Sequence, residues 1–449
     1  MTSSGLQCRF RDSKTTGVNG CVLDTVGPVG SSSVRHFHYR KLNMFASVPQ
    51  RTIRQDYRSN EDSADDDFTV MPLGLRLLRY SGLWGDPQRK RSFVFMLLGT
   101  ILLLIVPKVV LGTGSDSFDS FARSTAEFIF CYNNYLMMAI FAVQRKPFEQ
   151  LIVAVQQLFD KHRARPTPTS ALVVTVNRQI MRYSRLYVIV QGVYFLIFNL
   201  LPPVVTYHAY FTTSSNATNV TFLLPVESRF YFMDIRHSIV DYTIFTIVAC
   251  PAFLFTAYLT VLKGLVFIGI IMYNTLQYQL VSSHVQDLTT HYRTDPALYR
   301  RQLTEIVNQH SVATNCTKLL DSVLSLILLV QFTNTVLMCC LFLFYISKNI
   351  NSGAINVLLL FLALTVENFC FSYFGTKLTE ENQAVGGTVY SIPWYKSSPS
   401  LQKQLQQMMR HAHKPRGITV GKFYIVDVSS FGQLIKMIFS YYLILKELF

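Results

Sequence analysis

The stretch FYIVDVSSFGQLIKMIFSYYLIL (423–445) is apolar enough to cross a bilayer, yet it contains Asp427, Ser429, Ser430, Gly432, Gln433, Lys436 and Ser440. Such groups at membrane depth need protein or a water-filled path around them. Toward its end, Ile444 and Leu448 stand four residues apart and share a helix face. Rings of such side chains, one set from each subunit, close an ion path by excluding water. Glu447 beside them would put a cation-attracting carboxylate at the same mouth. The alternative is that all three simply cap a helix at the headgroup layer. The chemistry in view is ion passage rather than bond making.

A second set is aromatic. Phe128, Tyr132 and Tyr135 follow helical spacing, as do Tyr194 with Phe198 and Tyr242 with Phe245. A small-molecule pocket is mostly apolar with a few polar handles, often between helices, and tyrosine supplies both. An aromatic stripe that only packs is the competing reading. Glu127, Asn133, Asn134, Asp241, Glu367 and Asn368 also fall in or near apolar runs. Glu127 and Asp241, near span ends, suit either an entry rim or contact with water and headgroups. GxxxxGK[ST], GxSxG and HExxH are all missing, and the histidines are scattered. The eight cysteines form no CxxC and no Cys/His pair at zinc spacing. An enzyme is therefore not expected, and neither is a metal or other cofactor.

The elements that must position these residues are legible in composition. Of 449 residues, 50% are hydrophobic and 15% charged, with 34 Phe and 24 Tyr. An average soluble domain has about 25% charged residues. The net charge of +15 accompanies long apolar runs, which points to basic cytoplasmic loops rather than nucleic acid. Crossing about 30 Å of hydrocarbon takes about 20 apolar residues. Seven runs qualify: 92–111, 124–143, 183–203, 237–262, 321–345, 354–375 and 423–445. Apolar character in the fourth continues through GLVFIGIIMYN (264–274), so it reads as one helix, bent near Pro251, running out of the bilayer.

Charge sets the orientation. With the N-terminus inside, the inner segments carry 33 Lys+Arg against 5 outside: Arg123, Arg229, Arg236, Lys348 and Lys446. The sequons at Asn216 and Asn219 fall in the long outer loop 204–236, so glycans are expected there and none at Asn315, which lies inside. The expected organisation is a disordered cytoplasmic extension, 1–67, with Gly/Ser stretches and an acidic cluster. A juxtamembrane segment, 68–91, follows, whose amphipathic run 71–84 would lie on the membrane surface. Then come a four-helix ligand-binding bundle, 92–262, a cytoplasmic region, 263–320, helices five and six, 321–375, a second cytoplasmic region, 376–422, and the last helix, 423–449.

The carboxy-terminal region also carries a resemblance. Phe374-Gly375, Tyr390, Trp394-Tyr395, Gly421-Lys422-Phe423-Tyr424 and Ser440-Tyr441 together resemble the insect odorant receptors, over some 80 residues and more weakly from Phe68 onward. The resemblance implies an all-α membrane protein of seven transmembrane helices, N-terminus cytoplasmic and C-terminus extracellular. It implies an odorant-gated, non-selective cation channel in the plasma membrane of olfactory sensory neurons, a heterotetramer with the shared odorant co-receptor. The volatile ligand would sit among helices two, three, four and six, the last helix would line the pore, and the cytoplasmic helix ends would pack as an anchor. Ile444 and Leu448 match the gate positions, and Glu447 the polar one beside them.

Two positions depart from the pattern: Tyr442 stands where Ser is usual, and Ile425 where Pro is. The related gustatory receptors, the alternative reading, end in a pattern that Lys446, Glu447 and Leu448 break. The co-receptor's long insertion does not fit within 274–320, so the chain reads as a ligand-tuning subunit. A G-protein-coupled receptor would show Glu/Asp-Arg-Tyr after span three and Asn-Pro-x-x-Tyr in span seven, and neither is found. A transporter would commonly show an internal repeat, and none is visible.

Overall fold

The computed structural model describes residues 68–449 apart from 85–86, 113–116, 165–167, 213–221, 292–295, 350–351 and 415. The extension 1–67 and the sequon residues Asn216 and Asn219 lie outside the described residues.

The chain is almost wholly helical. A short α1 (Pro72–Tyr80) precedes α2 (Pro87–Thr100), which continues through one π turn, Ile101–Ile105, into α3 (Val106–Val110). Then come α4 (Phe118–Val143), α5 (Arg145–Ala164), α6 (Pro168–Thr212), α7 (Ile239–His291), α8 (Pro296–Lys348) and α9 (Ser352–Ser391). A 3-10 turn (Trp394–Lys396), α10 (Pro399–His413), a hairpin of β1 (Thr419–Val420) and β2 (Tyr424–Ile425), and α11 (Val428–Leu448) complete it. Seven of these stretches are long and apolar enough to cross a membrane: Arg91–Val110, α4, Thr169–Thr212, Ile239–Leu288, Ala297–Lys348, Gly353–Ser391 and α11.

Length separates what crosses from what protrudes. The helices α7 and α8 have 53 residues each, roughly 80 Å at 1.5 Å per residue, against about 30 Å of hydrocarbon. The fourth span is therefore one unbroken helix with Pro251 inside it. Residues 263–320 hold the far half of α7 and the first half of α8 rather than a loop. Apolar side chains bury on all sides of this half of α7, from Leu265 through Tyr278 to Leu288, which is why the apolar run outlasts the bilayer.

The expectation for 71–84 is corrected. The apolar face of α1 is not laid on a membrane: Leu75 and Leu78 are buried in the main core, and α1 packs against α7. The Tyr258 hydroxyl donates to the Leu77 carbonyl at 2.5 Å and the Met71 N–H donates to Tyr273 Oη at 3.0 Å. An amphipathic pattern does not say whether lipid or protein covers the apolar face.

The main core is built from α4, α5 and α7–α9, with α4 and α9 the principal partners of α8 and α7. A second cluster, Phe222, Leu224, Phe230, Ile235, Tyr242, Phe245 and Ala249, closes the end of the bundle that carries the segment 222–236. This is called the loop end. At the opposite, hairpin end, β1 and β2 pair antiparallel, Thr419 opposite Ile425 and Val420 opposite Tyr424. The connection is three residues, 421–423: Gly421 and Lys422 both have positive φ, 56° and 68°, as the central residues of a type I′ turn do, and the Phe423 N–H donates to the Val420 carbonyl at 2.9 Å. The hairpin is fixed to α8: Asp321 accepts from Thr419 N–H (2.8 Å) and hydroxyl (2.6 Å) and pairs with Lys422, and Gly421 N–H donates to the Ser325 carbonyl (2.9 Å). It also lies so close to α9 that a β-carbon at Gly375 would overlap the Val426 carbonyl. That accounts for two of the short elements, Gly375 and Gly421-Lys422, singled out in the sequence.

Candidate functional site

The last helix begins later than the sequence suggests. Residues 423–425 belong to the hairpin, and Asp427 is the N-cap rather than a group inside the span. Its carboxylate accepts from Ser430 N–H at 2.6 Å while its own N–H donates to Ser430 Oγ at 3.0 Å. That reciprocal pair satisfies first-turn donors, and so two of the polar groups noted in the run are accounted for by capping.

The other polar groups are not. Ser429, Gln433, Lys436, Ser440 and Glu447 are all exposed. At 100° per residue they fall within one narrow stripe of α11. Only Ser430, Leu434 and Ile438 are buried, against α8 and α9. Ile444 and Leu448 are 52% and 67% exposed, and Glu447 is exposed beside them. The end of the helix is anchored: the Phe449 ring stacks on Phe118 at 3.8 Å, and Lys348 Nζ donates to the Phe449 carbonyl at 3.2 Å. One chain thus leaves an apolar helix with a polar stripe largely uncovered. Lipid cannot satisfy that stripe.

The six aromatics are not brought into one cluster. Tyr242 and Phe245 are fully buried in the loop-end cluster, where Tyr242 donates to the Leu223 carbonyl at 3.0 Å and Phe245 meets Phe230 edge-on. Tyr135 lies in the main core, its hydroxyl 2.7 Å from Thr256 Oγ1 on α7. Tyr194 and Phe198 pack at the edge of that core, ring centroids 6.1 Å apart. Tyr132 is 45% exposed and stacks on Phe128. The Tyr194 hydroxyl is buried and has no hydrogen-bond partner among the described residues. It is the one of the six that leaves a hydrogen-bonding position open in apolar surroundings. Two cavities, of about 170 and 280 Å³, are lined by residues of α1, α6, α7 and α9, and none of the six lines either.

Two buried polar networks join residues that the sequence shows only singly, among them Glu127, Asn133, Glu367 and Asn368. At the loop end, Glu127 joins Lys108 (2.9 Å) and Arg123 (2.8 Å) and accepts from Glu227 N–H (2.7 Å). Arg123 also reaches the Leu224 carbonyl and Glu227, which pairs in turn with Arg236. Arg123 therefore does not sit in an outer loop as the charge count has it; α4 starts at Phe118 and the side chain is buried. Glu127 is no exposed rim either. The network ties the segment 222–236 down onto α3 and α4, under the closing aromatic cluster. Asp241, by contrast, is half-buried and accepts from Asp234 N–H at 3.0 Å in the same segment.

Midway along the bundle, Lys263 pairs with Glu367 at 3.0 Å, both essentially without solvent exposure. Gln331 Oε1 receives Asn133 at 2.8 Å and lies 3.5 Å from Lys263 Nζ; Asn334 donates to Asn133 at 2.9 Å, and Asn368 to Thr335 at 3.1 Å. Lys263, counted among the inner-loop cations, is thus an interior charge linking α7 to α9, with α4 and α8 around it. The i, i+4 pair Arg123/Glu127 is a visible signal for the first network. The second has none beyond the bare presence of charge in apolar runs.

No group of His, Cys, Asp or Glu among the described residues has a metal-binding arrangement. A Ser–His contact does occur, Ser170 Oγ at 3.4 Å from His162 Nδ1, but the imidazole Nε2 is buried with no partner among the described residues. Burial pushes His162 down to about 4, so the ring is neutral near pH 7.

The family model described as 7tm Odorant receptor matches residues 117–439. Odorant receptor 10 of Aedes albopictus is 25% identical over 182 residues, 40% of this chain and 48% of that protein. The odorant receptor coreceptor of Ooceraea biroi is 29% identical over 80 residues, 18% of this chain and 17% of that protein. The chain thus spans about half the length, or less, of these curated relatives. In fold it is similar to the insect olfactory receptor OR5 from Machilis hrabei, with a TM-score of 0.66 and 14% identity, covering 80% of this chain and 89% of that one. The same receptor in complex with eugenol gives 0.65 over 84% and 98%. With the seven spans in place and the family model extending from the start of α4 into α11, the chain belongs to the 7tm odorant receptor family.

Proposed function

We infer that the protein is an odorant-gated, non-selective cation channel subunit that assembles with the shared odorant co-receptor in the plasma membrane of olfactory sensory neurons. The observation that carries this reading is α11: an apolar helix whose polar stripe, Ser429 to Glu447, one chain leaves uncovered. Around an axis shared by four subunits, such stripes line a water path, and Ile444 and Leu448 form apolar rings at its mouth. Similarity to coreceptor sequences and to a receptor solved with eugenol supports the partner and the ligand class. The charge asymmetry supports a cytoplasmic N-terminus and an extracellular C-terminus. Tag accessibility in intact cells tests that arrangement: a C-terminal tag is expected to be stained from outside and an N-terminal tag only after permeabilisation. The reverse pattern would place α11's mouth on the wrong side and overturn the reading.

The volatile ligand binds between helices near Tyr135, Tyr194 and Phe198, and the Tyr194 hydroxyl supplies its polar handle. Tyr132, Tyr242 and Phe245 border that region or support it. Tyr194→Phe keeps the ring and removes one hydrogen bond, about 0.5–1.5 kcal/mol. The expected result is a roughly two- to tenfold loss of potency for oxygen-bearing volatiles and no change for hydrocarbons. Dose–response curves at matched surface expression check it; equal shifts for both classes would assign Tyr194 to packing.

A further inference from the structure

The larger cavity, about 280 Å³, lies between α6, α7 and α9. Leu265, Ile268 and Met272 of α7 and Cys370 and Phe374 of α9 form its inner wall. Leu186 and Val190 of α6 form its margin, each 55% exposed on an apolar helix, so the crevice opens sideways toward hydrocarbon. The described lining is aliphatic and aromatic, with hydroxyls and one thiol as its hydrogen-bonding groups.

Tyr187, which also lines the crevice, is the group its packing does not explain. The hydroxyl is buried and has no hydrogen-bond partner among the described residues. Its ring and hydroxyl lie where a β-carbon at Gly264 would go, so the glycine is what lets the side chain reach across from α6 to α7. Leaving a buried hydroxyl unpaired is costly, and phenylalanine would fill the same space without that cost. The result is one open hydrogen-bonding position in an apolar crevice, the composition of a small-molecule site. The volume of about 280 Å³ is at the lower edge of the usual range for such sites, about 300–1,000 Å³. It suits a molecule smaller than a sterol or a phospholipid.

We propose that this crevice binds a small neutral molecule with an apolar body and one acceptor oxygen, an alcohol, ketone or ester, taken up sideways from the bilayer. The oxygen accepts from the Tyr187 hydroxyl, the body lies along Leu265 and Ile268, and entry is past Leu186 and Val190. Tyr194, whose hydroxyl is also buried without a partner among the described residues, stands two turns further on the same face of α6, roughly 10 Å away at 1.5 Å per residue. It does not line the crevice. The site is therefore separate from the odorant region around Tyr194 and stands whether or not odorant binds there. It borders the polar centre instead: Gly264 follows Lys263 in α7, and Glu367, the partner of Lys263, lies one turn from Cys370 on α9.

Photolabelling of the purified full-length chain in phosphatidylcholine nanodiscs with a diazirine-bearing octanol, mapped by mass spectrometry, tests this. Adducts are expected within 183–190, 264–272 and 370–374. Excess octanol should remove them, and excess octane should leave most. Tyr187→Phe should cut this labelling roughly two- to tenfold, the loss of one hydrogen bond, while Tyr194→Phe leaves it unchanged. Val190→Trp, at an exposed position, covers the mouth and should cut it with the Tyr187 hydroxyl intact. Thermal unfolding gives a separate readout. Because the hydroxyl is unpaired, ligand-free Tyr187→Phe should unfold at the wild-type temperature or above it; a lower temperature would mean that the hydroxyl serves the fold, and overturns the proposal. Absence of crevice adducts overturns it too, as does labelling that survives Tyr187→Phe or that spreads along α6 without competition. Removal by octane as complete as by octanol also overturns it, because any hydrocarbon tail would then fill the crevice.

Discussion

Glu127→Ala is expected to be among the most damaging single substitutions in the protein. Its carboxylate neutralises Lys108 and Arg123 and accepts the Glu227 N–H, with Lys108, Arg123 and Glu127 side chains all at most 5% exposed. Removing it leaves two buried cations with one carboxylate, Glu227, within reach of one of them. Breaking a buried pair costs about 3–5 kcal/mol, chiefly because the abandoned charge cannot reach water. Here the relief available is to release the segment 222–236 and let water in. The Phe222, Leu224 and Phe230 side chains that cap Tyr242 and Phe245 would go with it. The measurement is thermal unfolding of the detergent-purified chain alongside surface expression. Glu305→Ala is the control: its partner Lys161 is half exposed, and a surface pair is worth about 0–1 kcal/mol. Equal, small effects of the two substitutions would mean that water already reaches the network.

The second large effect is at Lys263 and Glu367. Lys263→Met leaves a carboxylate inside the bundle at 3% exposure, again at about 3–5 kcal/mol. The double variant Lys263→Met with Glu367→Leu should recover most of that loss, because replacing both charges by apolar groups of similar volume is commonly neutral or better. A thermal-unfolding double-mutant cycle measures the coupling, which should be on the order of 3 kcal/mol. If the double variant is as unstable as the sum of the singles, the two side chains act independently and the network does not bind α7 to α9. Function gives a separate readout: recovery of stability without recovery of gating would mean that the polar centre is retained for channel opening.

What is legible in the sequence follows from what dominates each signal. All seven spans are visible there, because a run of about 20 apolar residues rarely arises for any reason but crossing a bilayer. Their ends are not. Residues 264–288 stay apolar because protein covers them, and hydropathy cannot tell a protein-covered helix from a lipid-covered one. The same ambiguity makes α1 look like a helix of the membrane surface. Asp427 falls within the last apolar run because a cap is a backbone event; its partner Ser430 three residues on is the available clue. The exposed polar stripe on α11 is half legible: its residues can be named from the chain, but which of them a neighbour covers depends on the packing of α8 and α9. The aromatic candidates rest on spacing within each helix. Spacing says nothing about rotation between helices, and so Tyr242 and Phe245 seal the loop end while Tyr135 faces α7. The partners of Lys108 and Lys263 are 19 and 104 residues away along the chain, beyond any local pattern.

Whole-cell current from cells expressing this chain with the odorant co-receptor, recorded against a broad panel of volatiles, tests the central claim most directly. A subset of volatiles is expected to evoke a cation current with little preference among monovalent cations. Leu448→Ser should raise the current without odorant while leaving the ranking of volatiles unchanged, and Glu447→Gln should alter cation preference rather than potency. No volatile-evoked current at normal surface expression of both subunits would contradict the account. So would unchanged basal current and unchanged ion selectivity in the two variants, which would place the ion path away from α11.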